Sequence, residues 1–152
     1  MPKRLRVLVA VDFSAASRRA LRSAARLAAR TGAKVTVAHV RPAGDLFAAV
    51  AEDRTALVRL EPKLLRRRLD AHYRQRLAAA AGRIPGAGML LLRGWPAIEL
   101  ARVAARGFDM IVVGSRGRSE MRMAFLGSTT REILRRSRVP VLVVESPSRP
   151  AR

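Results

Sequence analysis

The chain has 152 residues, of which 49% are hydrophobic, and a formal net charge of +20. It is too apolar for a disordered basic tail, and its lack of cysteine excludes disulfides, thiolate metal sites and cysteine nucleophiles. No apolar run approaches the roughly 18 residues that a membrane span needs, so we expect a cytoplasmic protein with one domain over residues 1–146 and a loose tail over 147–152.

The first forty residues predict a strand, a helix and a second strand. Arg4–Val11 is a nearly continuous apolar run, typical of a strand buried on both faces of a parallel sheet. Ser14 is a suitable N-cap for a helix over Ala15–Thr31, and Gly32 is the expected stop. Lys34–Val40 then predicts the second strand.

The middle of the chain predicts one long helix and a third strand. Arg41–Pro62 is irregular, with some helix expected over Leu46–Val58. Apolar residues recur every three or four positions from Leu65 to Ile84 and predict a helix. Met89–Arg93 predicts a strand, and we expect Tyr73 and the later Trp95 to be packing groups.

The last third adds two helices and two strands. We expect a helix over Ala97–Arg106, a buried strand over Asp109–Gly114 and a final strand over Val139–Glu145. Thr129-Thr130-Arg131-Glu132 has capping-box spacing and predicts a helix to about Ser137. Five strands alternating with four helices predict a doubly wound α/β sandwich, which binds ligands beyond the carboxyl ends of its strands.

A glycine-rich segment joins the fourth strand to the last helix. It reads Gly114-Ser115-Arg116-Gly117, nine residues, then Gly127-Ser128-Thr129. Glycines let backbone N–H groups approach an anion, and a helix N-terminus offers unpaired N–H groups and the positive end of its dipole. The segment predicts a phosphate-binding site, with a tight turn before a capped helix as the alternative.

The spacing Gly-x2-Gly-x9-Gly-Ser resembles that of the universal stress proteins, in particular their ATP-binding branch. Four further blocks are similar to that family, namely Val7–Ser14, Val37–Val40, Asp109–Gly114 and Val139–Val144. The resemblance implies a Rossmann-like five-stranded parallel sheet of order 3-2-1-4-5 with helices on both faces. It also implies a homodimer formed through the fifth strand, Val139–Val144.

The resemblance further implies a site for ATP with Mg²⁺. Ala10 and Asp12 correspond to positions beside the nucleotide at the end of strand one, and Val40 to a position that lines the adenine pocket. The ribose and phosphates would be held by Gly114, Gly117, Gly127, Ser128 and Thr129. Arg116 either contacts the phosphates or lies in a solvated loop.

Other nucleotide and enzyme motifs are absent from the sequence. No Walker phosphate loop, Gly-x-Gly-x-x-Gly fingerprint or Gly-x-Ser-x-Gly elbow is present, and two histidines without cysteine give no metal-ligand spacing. His39 suits a packing or hydrogen-bonding role at a strand end. No residue is placed as a general base, although slow ATP hydrolysis or phosphotransfer stays open as an alternative.

The net charge leaves a second alternative. Residues 1–76 carry +12 and residues 77–152 carry +8, so no terminal tail holds the excess. A basic protein of this fold could bind nucleic acid or another polyanion. We favour a nucleotide-dependent stress-response protein in which ATP orders the loop between Gly114 and Gly127.

Overall fold

The apolar runs form the strands of one parallel sheet. The computed structural model describes residues 3–44, 61–116 and 126–145. The strands follow the order β3-β2-β1-β4-β5, with every neighbouring pair parallel, which confirms the predicted fold class and sheet order. Their bounds are β1 (Arg6–Ala10), β2 (Lys34–Arg41), β3 (Gly88–Arg93), β4 (Met110–Gly114) and β5 (Val141–Val144).

Four helices cover the two faces of the sheet among the described residues. They are α1 (Ala15–Thr31), α2 (Pro62–Ala81), α3 (Pro96–Ala105) and α4 (Ser128–Arg136). Alternate residues of β1 separate the two cores: Val7 and Val9 pack with α1 and α2, whereas Leu8 packs with α3 and α4. Burial on both faces explains why the strands are apolar without alternation.

The ends of α1 follow the sequence prediction. Ser14 Oγ accepts the N–H of Ser17 at 3.1 Å, and Gly32 ends the helix in the left-handed conformation with φ +69°.

The capping box predicted for α4 is wrong. The helix begins at Ser128 after Gly127, with no side-chain cap. Thr130 is instead buried and donates its hydroxyl to the Gly114 carbonyl, while Glu132 pairs with Arg136. Helix α4 therefore starts two residues earlier than its capping spacing suggests, and Thr130 anchors its first turn to the end of β4.

Other boundaries differ by up to three residues, the largest difference being at α2, which was predicted from Leu65 to Ile84. Strand β5 starts at Val141 because Ser137 Oγ accepts the N–H of Val139 and donates to its carbonyl, holding Val139 in a turn.

Tyr73 stacks on His39 with ring centroids 4.9 Å apart, as a packing group should. The prediction that Trp95 is a packing group is wrong, because this residue is 74% exposed.

Some predictions lie outside the described residues. These are the helix expected over Leu46–Val58, the tail at 147–152, and Gly117. Within the described ranges, no helix is long and apolar enough to cross a membrane.

Candidate functional site

The order of the strands reverses between β1 and β4, and a cavity opens there beyond their carboxyl ends. The chain leaves β1 toward β2 on one side, while β4 begins the other half of the sheet. A crevice at this point is the usual ligand site of doubly wound folds. Eight of the nine predicted site residues line the cavity, namely Ala10, Asp12, Val40, Gly114, Arg116, Gly127, Ser128 and Thr129. The ninth, Gly117, lies outside the described residues.

Asp12 lies in the turn between β1 and α1. Its Oδ1 accepts the N–H of Ser14 at 2.9 Å, so the carboxylate orders the turn that caps α1. Phe13 is left-handed at φ +66°, and its carbonyl accepts Arg18 Nη1 at 2.9 Å. Among the described residues that line the cavity, Asp12 is the one acid. One carboxylate beside a polar turn suits a hydrogen bond to a ligand hydroxyl or amine better than metal chelation.

The end of β2 forms a small apolar wall opposite this turn. Ala38 and Val40 are buried and line the cavity together with Leu100 from α3. The Val11 N–H donates to the Ala38 carbonyl at 2.8 Å, and His39 Nδ1 donates to the Val11 carbonyl at 2.7 Å. His39 therefore ties β1 to β2, in keeping with its expected hydrogen-bonding role. The wall suits a flat apolar group such as a purine.

Gly114 is required by packing as well as by the cavity. A Cβ at this position would lie 2.8 Å from the backbone carbon of Ala16 in the first turn of α1. Real Cβ atoms do not approach backbone so closely, so a side chain here must displace either α1 or β4. The contact with Ala16 therefore excludes a side chain at this position, independently of the approach of an anion that the glycine spacing predicts.

Two hydrogen bonds hold the start of α4 against the end of β4. The Gly127 N–H donates to the Ser115 carbonyl at 2.8 Å, and Thr130 Oγ1 donates to the Gly114 carbonyl at 2.8 Å. On the far side, the Ser115 N–H donates to the Val144 carbonyl at 3.0 Å. The nine-residue helix therefore directs its N-terminus at the cavity, where its dipole favours an anion.

The cavity has an apolar wall at the end of β2 and a polar part at the N-terminus of α4. Ser128 and Thr129 are exposed at the α4 end, and the partly buried Arg116 is the one cation among the described lining residues. Hydroxyls, a guanidinium and a helix N-terminus together suit phosphate oxygens. Within the described ranges, no group of three or more His, Cys, Asp or Glu residues could hold a metal ion.

Two buried hydroxyl side chains line the cavity although the sequence did not predict them as site residues. Ser17 and Thr130 are buried polar residues, and Ser17 Oγ donates to the Ser14 carbonyl at 3.1 Å. Helical spacing carries the missing signal for Thr130, because it precedes the buried Ile133 by three positions and therefore faces inward with it.

Comparison with known proteins gives a consistent picture. A model described as the universal stress protein family matches residues 3–145. The universal stress protein in the QAH/OAS sulfhydrylase 3′ region of Thermus aquaticus is 31% identical over 144 residues, covering 91% of this chain and 96% of that protein. Universal stress protein MJ0577 of Methanocaldococcus jannaschii is 35% identical over 57 residues, a match that spans 37% of this chain and 35% of that protein.

Solved structures extend the likeness to the whole fold. The structure of MJ0577 matches with a TM-score of 0.76 at 20% identity, covering 95% of this chain and 98% of that one. The universal stress protein of Archaeoglobus fulgidus, solved in complex with dAMP, matches with a TM-score of 0.60 at 25% identity. The match covers 91% of this chain and 96% of that one.

Proposed function

The chain belongs to the universal stress protein family, and from this premise we propose that it binds ATP and acts as a nucleotide-dependent stress-response protein. The observation that carries the proposal is the cavity between β1 and β4, which combines an apolar wall at Val40 with the N-terminus of α4. The dAMP complex of the Archaeoglobus fulgidus relative supports an adenine nucleotide as the ligand class. A cytoplasmic location is part of the proposal and suits a sequence without cysteine.

Each part of the nucleotide is assigned to residues already placed in the cavity. The adenine lies against Ala38 and Val40, and the ribose hydroxyls donate to Asp12. The phosphates accept from the first N–H groups of α4, the Ser128 and Thr129 hydroxyls, and Arg116. Mg²⁺ would enter with ATP on the phosphate oxygens and neutralise part of their charge.

Thermal melting with and without Mg·ATP tests the assignment. Ligand at 100 times Kd adds about 2.7 kcal/mol, which for a domain of this size raises Tm by roughly 5–11 °C. EDTA should reduce the shift, and adenosine should give a smaller shift than ATP. An unchanged Tm at saturating millimolar Mg·ATP contradicts the proposal and leaves the fold untouched.

A single substitution then locates the phosphates. Arg116→Gln should weaken ATP binding by roughly 10- to 100-fold, because a charge-assisted hydrogen bond contributes about 1.5–3 kcal/mol, while leaving adenosine binding unchanged. Arg67→Gln removes an equal charge from the exposed face of α2 and serves as the control. Equal losses for ATP and adenosine, measured by calorimetry, would place Arg116 away from the phosphates.

We further propose a homodimer through the outer edge of β5. Within the described residues β5 is an edge strand, and Leu142 is 40% exposed. The Pro140 and Val144 carbonyls accept from β4, so Val143 directs its backbone groups outward. Val143→Pro should therefore give a monomer by light scattering without losing a bond to β4, whereas a wild-type monomer at all concentrations contradicts this interface.

A further inference from the structure

The opposite end of the sheet carries a second concave surface. An open groove of about 1050 Å³ lies at the amino-terminal ends of the strands, remote from the nucleotide cavity. Its floor is formed by small residues of α1 and by the turns at Gly32 and Gly86. We call it the basic groove because of the cations that line it, namely Lys3, Arg4, Arg6 and Lys34.

Three more cations lie near the carboxyl ends of helices, at the same end of the sheet as the basic groove. Arg30 lies in the last turn of α1, Arg83 follows the end of α2, and Arg106 ends α3. Cations here stabilise the negative carboxyl ends of these helices.

The negative helix ends neutralise only part of the positive charge of these cations. Against the seven cations stand three helix ends, each with about half a negative charge, and Asp109, the one acid that the described ranges place at this end. An excess of roughly four to five positive charges therefore remains at this end of the sheet.

The lining cations have no acidic partners within the described ranges. Elsewhere the structure forms ion pairs, such as Glu99 with Arg102 and Glu132 with Arg136. In the groove, Asp109 Oδ2 accepts the backbone N–H of Arg6 at 2.7 Å, and the Arg6 guanidinium lies 5.3 Å from the centroid of the Phe108 ring. The side chains of Lys3, Arg4 and Lys34 are exposed. Crowding like charges without partners opposes folding, so the arrangement suits an external anion.

We propose that the basic groove binds the phosphate backbone of duplex nucleic acid, without sequence preference. A concave surface with unpaired cations on neighbouring strands complements a row of phosphates. The one aromatic side chain among the described lining residues, Phe108, lies half-buried beside Arg6. The groove therefore lacks a platform for the exposed bases of a single strand.

The lining also argues against other anionic partners. None of the exposed large hydrophobic side chains of the described residues lines the groove. Protein interfaces and membrane-surface segments use apolar or aromatic anchors together with charge. Duplex nucleic acid, whose outward surface is mainly phosphate and sugar, needs no such anchor.

The test compares two charge-matched triple variants of the full chain. Lys3→Gln/Arg4→Gln/Lys34→Gln removes three cations from the basic groove. Lys63→Gln/Arg67→Gln/Arg74→Gln removes three from exposed positions on α2. Binding of a fluorescent mixed-sequence DNA duplex is followed by anisotropy across a salt series, with melting curves to check folding.

The groove variant should lose a specific part of the salt dependence. Each phosphate contact contributes about 0.9 to the slope of log affinity against log salt, so its slope should fall by about 2–3. Affinity should fall roughly tenfold or more, while the α2 variant keeps the wild-type slope.

Several results overturn the proposal. Equal losses in both variants mean that the charge acts diffusely, and a flat salt dependence in the wild type excludes phosphate contacts. Tighter binding of a single strand of equal length, or of phosphatidylserine vesicles, assigns the groove to another partner. An ATP-induced rise in Tm in the groove variant shows separately that the nucleotide site is intact, so the two proposals fail independently.

Discussion

The two ends of the sheet handle charge in opposite ways. At the carboxyl end, three cations already have partners in the protein: Arg18 donates to the Phe13 carbonyl, Arg41 pairs with Asp70, and Arg76 lies 4.1 Å from the centroid of the Phe13 ring. At the amino-terminal end, Arg4 and Lys34 have no acidic partner within the described ranges.

This difference follows from topology and side-chain choice together. Parallel strands with helical crossovers direct the N-termini of the helices to the carboxyl end of the sheet and the C-termini of the helices to its amino-terminal end. The backbone alone therefore makes the carboxyl end of the sheet attractive to anions. The amino-terminal end attracts anions only because the positive charge of its side chains exceeds the negative charge of the helix C-termini there. Specific contacts therefore determine the properties of the carboxyl end, and net charge determines those of the amino-terminal end.

The largest expected effect concerns the specific contacts. Gly114→Ala places a Cβ against the backbone of Ala16 and should destabilise the protein by about 2–3 kcal/mol, lowering Tm by roughly 4–12 °C. Gly44→Ala is the control, because a Cβ there meets no atom within 4 Å. Calorimetry that finds equal changes for the two variants would show that the carboxyl end tolerates repacking.

The buried ion pair should give the next largest effect. Arg41 is fully buried against Asp70 and lies 5.5 Å from the centroid of the Tyr73 ring. Asp70→Asn should cost about 2 kcal/mol, below the 3–5 typical of a broken buried pair, because Asp70 is partly exposed. Urea unfolding measures this as a lower midpoint at constant slope.

A surface pair provides the matched control for that change. Glu99→Gln removes a carboxylate from the pair with Arg102, whose side chain is 44% exposed, and should change stability by no more than about 1 kcal/mol. Similar costs for Asp70→Asn and Glu99→Gln would mean that burial of Arg41 does not set the strength of its pair.

The smallest effect is expected at the amino-terminal end. Arg4→Gln/Lys34→Gln relieves repulsion between exposed cations, so the free energy of unfolding should stay within about 0.5 kcal/mol of wild type, on the stabilising side. The gain should fade in high salt, because exposed charges are screened. A loss of more than about 1 kcal/mol would instead show that these cations mainly stabilise helix ends.

Much of the fold could be predicted because its signals are local. Apolar runs, the Ser14 cap and the Gly32 stop locate β1, α1 and β2, and each depends on residues close together in the chain. The glycine spacing likewise located the cavity, since it marks where a strand meets a helix N-terminus.

What the sequence did not reveal depends on contacts between distant elements. The clash that keeps residue 114 as glycine comes from Ala16, about a hundred positions earlier. The Thr130 bond to Gly114 displaced the expected capping box, and the pairing of Arg41 with Asp70 joins a strand to a helix. The basic groove was equally hidden, because net charge gives an amount but no location.

The exposed indole of Trp95 has a practical consequence for spectroscopy. It is the chain's one tryptophan, and it borders a groove that shares Ser128 and Thr129 with the nucleotide cavity. Tryptophan fluorescence of this protein therefore comes from Trp95 alone and reports on the solvent around that one side chain. The protein carries its own optical probe at the rim of the site, so ligand arrival can be timed without a label.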